Sequence, residues 1–142
     1  MRSASERGFT LMEVLMYIII TGILASVVMS AVRIARESGA DSGIKANLSN
    51  IRTEATAFFD RNGNYGTPGT SCTQPGSIFD DIRITQQITS AETISGQAAT
   101  CANSATDWAI SVPLRHDEGS WCVDEQGTAR PGVVNTTTIE CE

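Results

Sequence analysis

Residues 14–32, VLMYIIITGILASVVMSAV, form a run of 19 residues without a charge. As a helix this run spans about 28 Å at ~1.5 Å per residue, close to the ~30 Å hydrocarbon core of a bilayer. Apolar residues fill 18 of the 24 positions from 9 to 32, although they make up only 41% of the 142-residue chain. The remaining positions are correspondingly poor in core-forming residues. The chain therefore joins a membrane-grade segment to a small polar domain. Arg2 and Arg7 precede the run and Arg33 and Arg36 follow it, so both flanks are basic and loop charge sets no clean orientation. The cysteines decide it better. All four, Cys72, Cys101, Cys122 and Cys141, lie beyond the run, and an even count there reads as two disulfides in an oxidising compartment. That places the N-terminus in the cytoplasm.

A cleaved secretory signal would need small residues at its cleavage site, and Val28 and Ser30 are the best on offer. The apolar run also exceeds the usual 7–15 residues of such signals. A plain single-span anchor fits the run but leaves Glu13 unexplained. An acidic side chain near the membrane interior costs roughly 2.5–3.5 kcal/mol and is usually kept for a partner. Snorkelling to the headgroups would relieve that cost, yet it gives no reason for the charge to follow GFTLM so closely.

Residues 7–15, RGFTLMEVL, resemble the class III signal of type IV prepilins: a basic leader ending in Gly, then Phe-Thr-Leu, and Glu four residues after the Phe. The similarity continues through GILA at 22–25 and, more loosely, through IKANLSNIRTEATAFFDRNGNYG at 44–66. Ser30 departs from it, standing where many pilins carry a helix-kinking proline. The resemblance implies that a prepilin peptidase cuts between Gly8 and Phe9 and that the new amine of Phe9 is methylated. It also implies that Glu13 is an assembly residue. A neighbouring subunit shifted along the axis sets its Phe9 amine against this carboxylate, offsetting the desolvation of both groups and rewarding one register. Cleavage removes Arg2, Glu6 and Arg7, a net +1, and takes the formal charge from −6 to −7.

Beyond Arg36, apolar residues recur at Ile44, Leu48, Ile51, Ala55, Phe58 and Phe59, one face of an amphipathic helix. Asn62-Gly63 supplies its stop. A single helix over residues 9–61 would measure about 80 Å. Its soft point is ESGADSG at 37–43, whose two glycines each cost about 1 kcal/mol. Asp41 or Ser42 there is a candidate cap for a second helix. The Gly-, Pro-, Ser- and Thr-rich stretch at 63–77 reads as a loop, and residues 78–95 as a short helix over part of their length. Strand-like runs follow at 108–114 and 120–124, with 133–141 as a further edge strand. The expected architecture is α+β and type IV pilin-like: a long N-terminal helix packed on a small antiparallel sheet of three or four strands. Its parts are a removed leader (1–8), a membrane or filament-core helix (9–33), the amphipathic second half of that helix (34–62), and a disulfide-bonded domain (63–142). Four cysteines allow three pairings. Cys72–Cys101 with Cys122–Cys141 is favoured because it closes the loop after the helix and ties down the C-terminal strand.

A charge of −6 disfavours direct nucleic-acid binding. Asp80-Asp81, Asp117-Glu118 and Asp124-Glu125 read as solvated pairs without the spacing of a Ca²⁺ loop. His116 reads as an exposed turn residue, and Asn47 and Asn135 match a glycosylation pattern that is easily reached by chance. No enzymatic activity, cofactor or metal is expected. The leading expectation is a structural subunit of a type IV pilus serving adhesion, motility or uptake. Its partners are other copies of itself, the prepilin peptidase, the inner-membrane assembly platform and, as a monomer, the cytoplasmic membrane, before it reaches an extracellular filament. The alternatives are a pseudopilin of a type II secretion system and a minor tip pilin acting as a binding module. The intact mass of the purified subunit is expected to match residues 9–142 plus one methyl group; retention of Met1, or cleavage near Ser30, overturns the prepilin reading.

Overall fold

The computed structural model describes residues 8–142; Arg2, Glu6, Arg7 and the rest of the leader up to residue 7 lie outside the described residues. The chain divides into two units, one ending at Arg36 and one formed by Glu37–Glu142. Helix α1 (Leu11–Asn62) is 52 residues long and has no break at residues 37–43. Gly43 has a local reason to be glycine, because a Cβ there would lie 3.3 Å from Ile94 Cδ1. Close approach of the next helix offsets what the glycine costs in helix propensity. Gly63, at φ 71°, ends α1 in the left-handed conformation, its N–H donating to the Phe59 carbonyl at 2.7 Å.

In the second unit, Ile44, Leu48, Ile51 and Ala55 are buried in one stripe. They form the centre of a core that includes Ile84, Ile88 and Ala91 of α2 and Trp108, Ile110, Val112 and Val123 of the sheet. Helix α2 (Ile82–Ser95) follows a 3₁₀ turn at Ile78–Asp80 and occupies more of residues 78–95 than the pattern predicts. Caps define it. The Asp81 carboxylate accepts from Arg83 N at 3.0 Å, and Gly96 closes it at φ 78°. The main sheet is an antiparallel meander of β1 (Thr100–Asn103), β2 (Trp108–Pro113), β3 (Ser120–Asp124) and β4 (Ala129–Pro131), in that order. β2 is central, and its side chains alternate. Trp108, Ile110 and Val112 meet the helices, while Ala109 faces a second cluster with Ala102, Cys122, Val134 and Cys141.

That second cluster corrects the edge strand expected at 133–141. The segment folds back on itself as a separate two-stranded ribbon, β5 (Val134–Asn135) paired with β6 (Glu140–Cys141). Asn135 breaks the β-branched run, its side-chain oxygen accepting from Thr137 N and Thr138 N to form the turn. Cys122–Cys141 ties the ribbon to β3, and Cys72–Cys101 ties the loop after α1 to β1. They close segments of 29 and 19 residues, and each is worth roughly 2–4 kcal/mol.

Two carboxylates expected at the surface or at a helix cap have other work. Asp41 is only 3% exposed although it sits within α1. Its oxygens accept from the backbone N–H groups of Arg115 (2.6 Å), His116 (3.0 Å) and Asp117 (2.9 Å), so it holds the β2–β3 turn and does not cap a second helix. Lys45, one turn further on, adds an ion pair to Asp117 at 3.1 Å and lies 4.8 Å from the Trp121 ring centroid. His116 sits 3.9 Å from Glu37. Asp124 is likewise buried and not part of a solvated pair; it accepts from Thr128 N and Cys141 N, fixing the β3–β4 turn and β6 together.

Burial alone would raise the Asp41 pKa, but the three backbone donors and Lys45 outweigh it and hold the carboxyl below its ordinary 3.8. A depressed folded-state pKa contributes stability above the unfolded value, and that stability is lost as the pH falls through the folded value. Denaturant unfolding of the full chain in micelles, followed by tryptophan fluorescence, is expected to show a loss of stability below about pH 4. In Asp41→Asn that acid-dependent part shrinks, and at neutral pH stability falls by about 1–3 kcal/mol. An unchanged acid limb in Asp41→Asn counts against the assignment.

Candidate assembly segment at the N-terminus

The first unit places Gly8, Phe9 and Glu13 together at the start of α1. Gly8 and Phe9 precede the first helical residue, Leu11, so the Gly8–Phe9 peptide bond is outside the helix. Phe9 is 82% exposed. Thr10 begins the helix as its cap: its hydroxyl oxygen accepts from Glu13 N at 3.2 Å, and its carbonyl from Glu13 N and Val14 N. Glu13 stands three residues after the cap, in the first turn, where a carboxylate also interacts favourably with the helix dipole. Thr-x-x-Glu is the sequence form of a capping box. Read against the membrane alone, Glu13 hides this second role at the helix start.

Along residues 11–32 the apolar side chains are exposed, including Leu11, Met12, Ile18, Ile19, Ile23, Leu24, Val27 and Met29. This part of α1 is long and apolar enough to cross a membrane. The hydroxyls within it are satisfied by the helix itself. Thr21 donates to the Tyr17 carbonyl at 2.9 Å, Ser26 to Ile23 at 2.8 Å, and Ser30 to Val27 at 2.9 Å. Such side chains bring no unpaired donor into an apolar environment. The segment can therefore be covered by lipid or by other apolar helices without a polar penalty from these positions. Glu13 is the exception, a charge without an ion pair among the described residues.

Among the described residues no cluster of three or more His, Cys, Asp or Glu side chains is arranged to hold a metal. The cysteines are all consumed in the two disulfides.

The model of the prokaryotic N-terminal methylation motif matches residues 3–29. No curated protein and no solved structure matches the chain. With that motif, the long apolar helix behind it, and an α+β body in which the second half of α1 packs on a small antiparallel sheet, the chain resembles type IV pilins. Motif and fold together point to a structural protein. Thr10→Ala is expected to cost about 1 kcal/mol of helix start. In micelles this appears as roughly fivefold faster amide exchange at residues 12–14, with the disulfide-bonded unit unchanged.

Proposed function

We propose that this chain is a pilin subunit that polymerises through its N-terminal helix into a type IV pilus filament. In this reading residues 1–8 are a leader removed by the prepilin peptidase, residues 9–33 serve as membrane anchor and then filament core, residues 34–62 continue the helix, and residues 63–142 are presented outward. The mature monomer waits in the cytoplasmic membrane for the assembly platform. The observation that carries the reading is the exposed apolar surface of residues 11–32 with one carboxylate, Glu13, at its start. An apolar surface of that extent is stable only when covered. Lipid covers it in the monomer, and neighbouring helices cover it in a filament.

Glu13 gives the polymer its register. Once Gly8 is cut away, the amine of Phe9 is a cation at the edge of an apolar bundle. It is neutralised at lowest cost by a carboxylate a few residues along a neighbouring helix. Glu13→Gln separates this role from helix capping, because glutamine completes a capping box as well as glutamate does. In cells carrying only the Glu13→Gln gene, membrane-bound subunit is expected at normal levels and filament abundance is expected to fall severely. Normal filaments at normal subunit levels would show that Glu13 sets no register, and packing of residues 9–32 would then be the whole basis of assembly.

A further inference from the structure

The second unit contains a cleft of about 520 Å³ that pilus assembly through the N-terminal helix does not use. It opens beside the last turns of α1 and is closed by the loop after α1 and by the turns that follow β1 and β3. Its floor is Tyr65 and Trp108, the latter 2% exposed, and the half-exposed Phe59 ring lies 5.0 Å from Tyr65. Arg52 and Glu125 stand on its walls with the hydroxyl of Thr53. Each of these groups is available. Arg52 makes no ion pair among the described residues, and its guanidinium rests over Gly127, where a Cβ would come within 2.8 Å of Nη2. The Glu125 side chain has no hydrogen-bond partner among the described residues, and no described group accepts from the hydroxyl of Tyr65, a residue only 6% exposed.

The charges narrow what can enter. Burial, followed by the negative potential of Glu125, Asp107 and Asp60, outweighs a hydrogen bond from Trp108 and pushes the Tyr65 phenol above its ordinary 10.0. Tyr65 therefore stays a neutral donor, and the same three carboxylates repel an anion from the cleft floor. Arg52 on the wall adds a cationic donor beside these carboxylates. A ligand that both accepts and donates suits this mixed lining. It must accept from the Arg52 fork and from Tyr65, donate to Glu125, and lay an apolar face on Phe59.

The geometry points to this cleft as a binding site for a neutral saccharide residue, whose adjacent hydroxyls both accept and donate and whose C–H face suits an aromatic ring. Binding of this kind does not depend on polymerisation. The test uses the full chain in a sugar-free zwitterionic detergent, with lactose, cellobiose and N,N′-diacetylchitobiose as probes at millimolar concentration. At least one is expected to shift the Trp108 indole N–H resonance saturably while leaving that of Trp121 in place. Arg52→Gln and Glu125→Gln, both at exposed positions, are each expected to weaken that binding about tenfold with the fold intact. The proposal is overturned if none of the three sugars moves the Trp108 resonance, or if both variants bind as tightly as the parent. It is equally overturned if sodium sulfate produces the same shift, which marks an anion site, or if protein concentration alone produces it, which assigns the cleft to a second copy of the chain.

Discussion

Burial of one helical stripe organises everything from Glu37 onward. Ile44, Leu48, Ile51 and Ala55 are all but inaccessible, and α2, three strands and the loop at Tyr65 contribute to the core they centre on. A buried aliphatic side chain is worth about 1.5–3 kcal/mol, so this stripe supplies a large share of the drive that collects those elements. The remaining features serve its closure. The disulfides fasten the loop at 63–77, which is poor in apolar residues, and the short ribbon at 134–141. Asp41 fastens the turn between the two longest strand partners, β2 and β3.

The polar groups inside this unit share a pattern. Asp41, Asn103 and Asp124 each bond to the backbone of a loop or turn, and Ser95 donates to the Pro113 carbonyl at 2.6 Å. None bonds to another buried side chain in these contacts. A small domain with many irregular connections has many backbone N–H and C=O groups to satisfy away from ladders. Short polar side chains meet that need at fixed places and thereby set which loop lies where.

Much of the fold is legible in the sequence because its signals are long or repeated. The uncharged run at 14–32 and the stripe at 44–59 span several helical turns, and β2 and β3 are compact strand-like runs. Shorter elements are not legible. β1 is TCAN, four residues without a strand-like run, and β4 contains Arg130 and Pro131; pairing with β2 and β3 creates both. The tail at 133–141 has strand composition throughout, but its Asn135 turn and its bond to Cys122 are tertiary decisions. Asp41 was readable in principle. It lies three residues before Ile44 and so continues the 3–4 spacing of the buried stripe, where a polar residue calls for a partner. At the N-terminal segment, the charge inside the apolar run marked Glu13 and the resemblance to prepilin signals marked Gly8 and Phe9, while the cap made by Thr10 is fixed by where the helix starts.

The placement of β6 bears on the order in which the two disulfides close. Its residues come last in the chain, yet they cover the outer face of β2 and β3 and complete the bond to Cys122. The helix-side core and the Cys72–Cys101 bond use nothing beyond β3, so neither waits for the tail. If that pair closes first, Cys122 is still a thiol at that point. Closure of Cys72–Cys101 removes Cys101, the nearest cysteine before Cys122, as a competing partner. Closure in that order would leave one connectivity out of three before the finished fold is present to select it by distance.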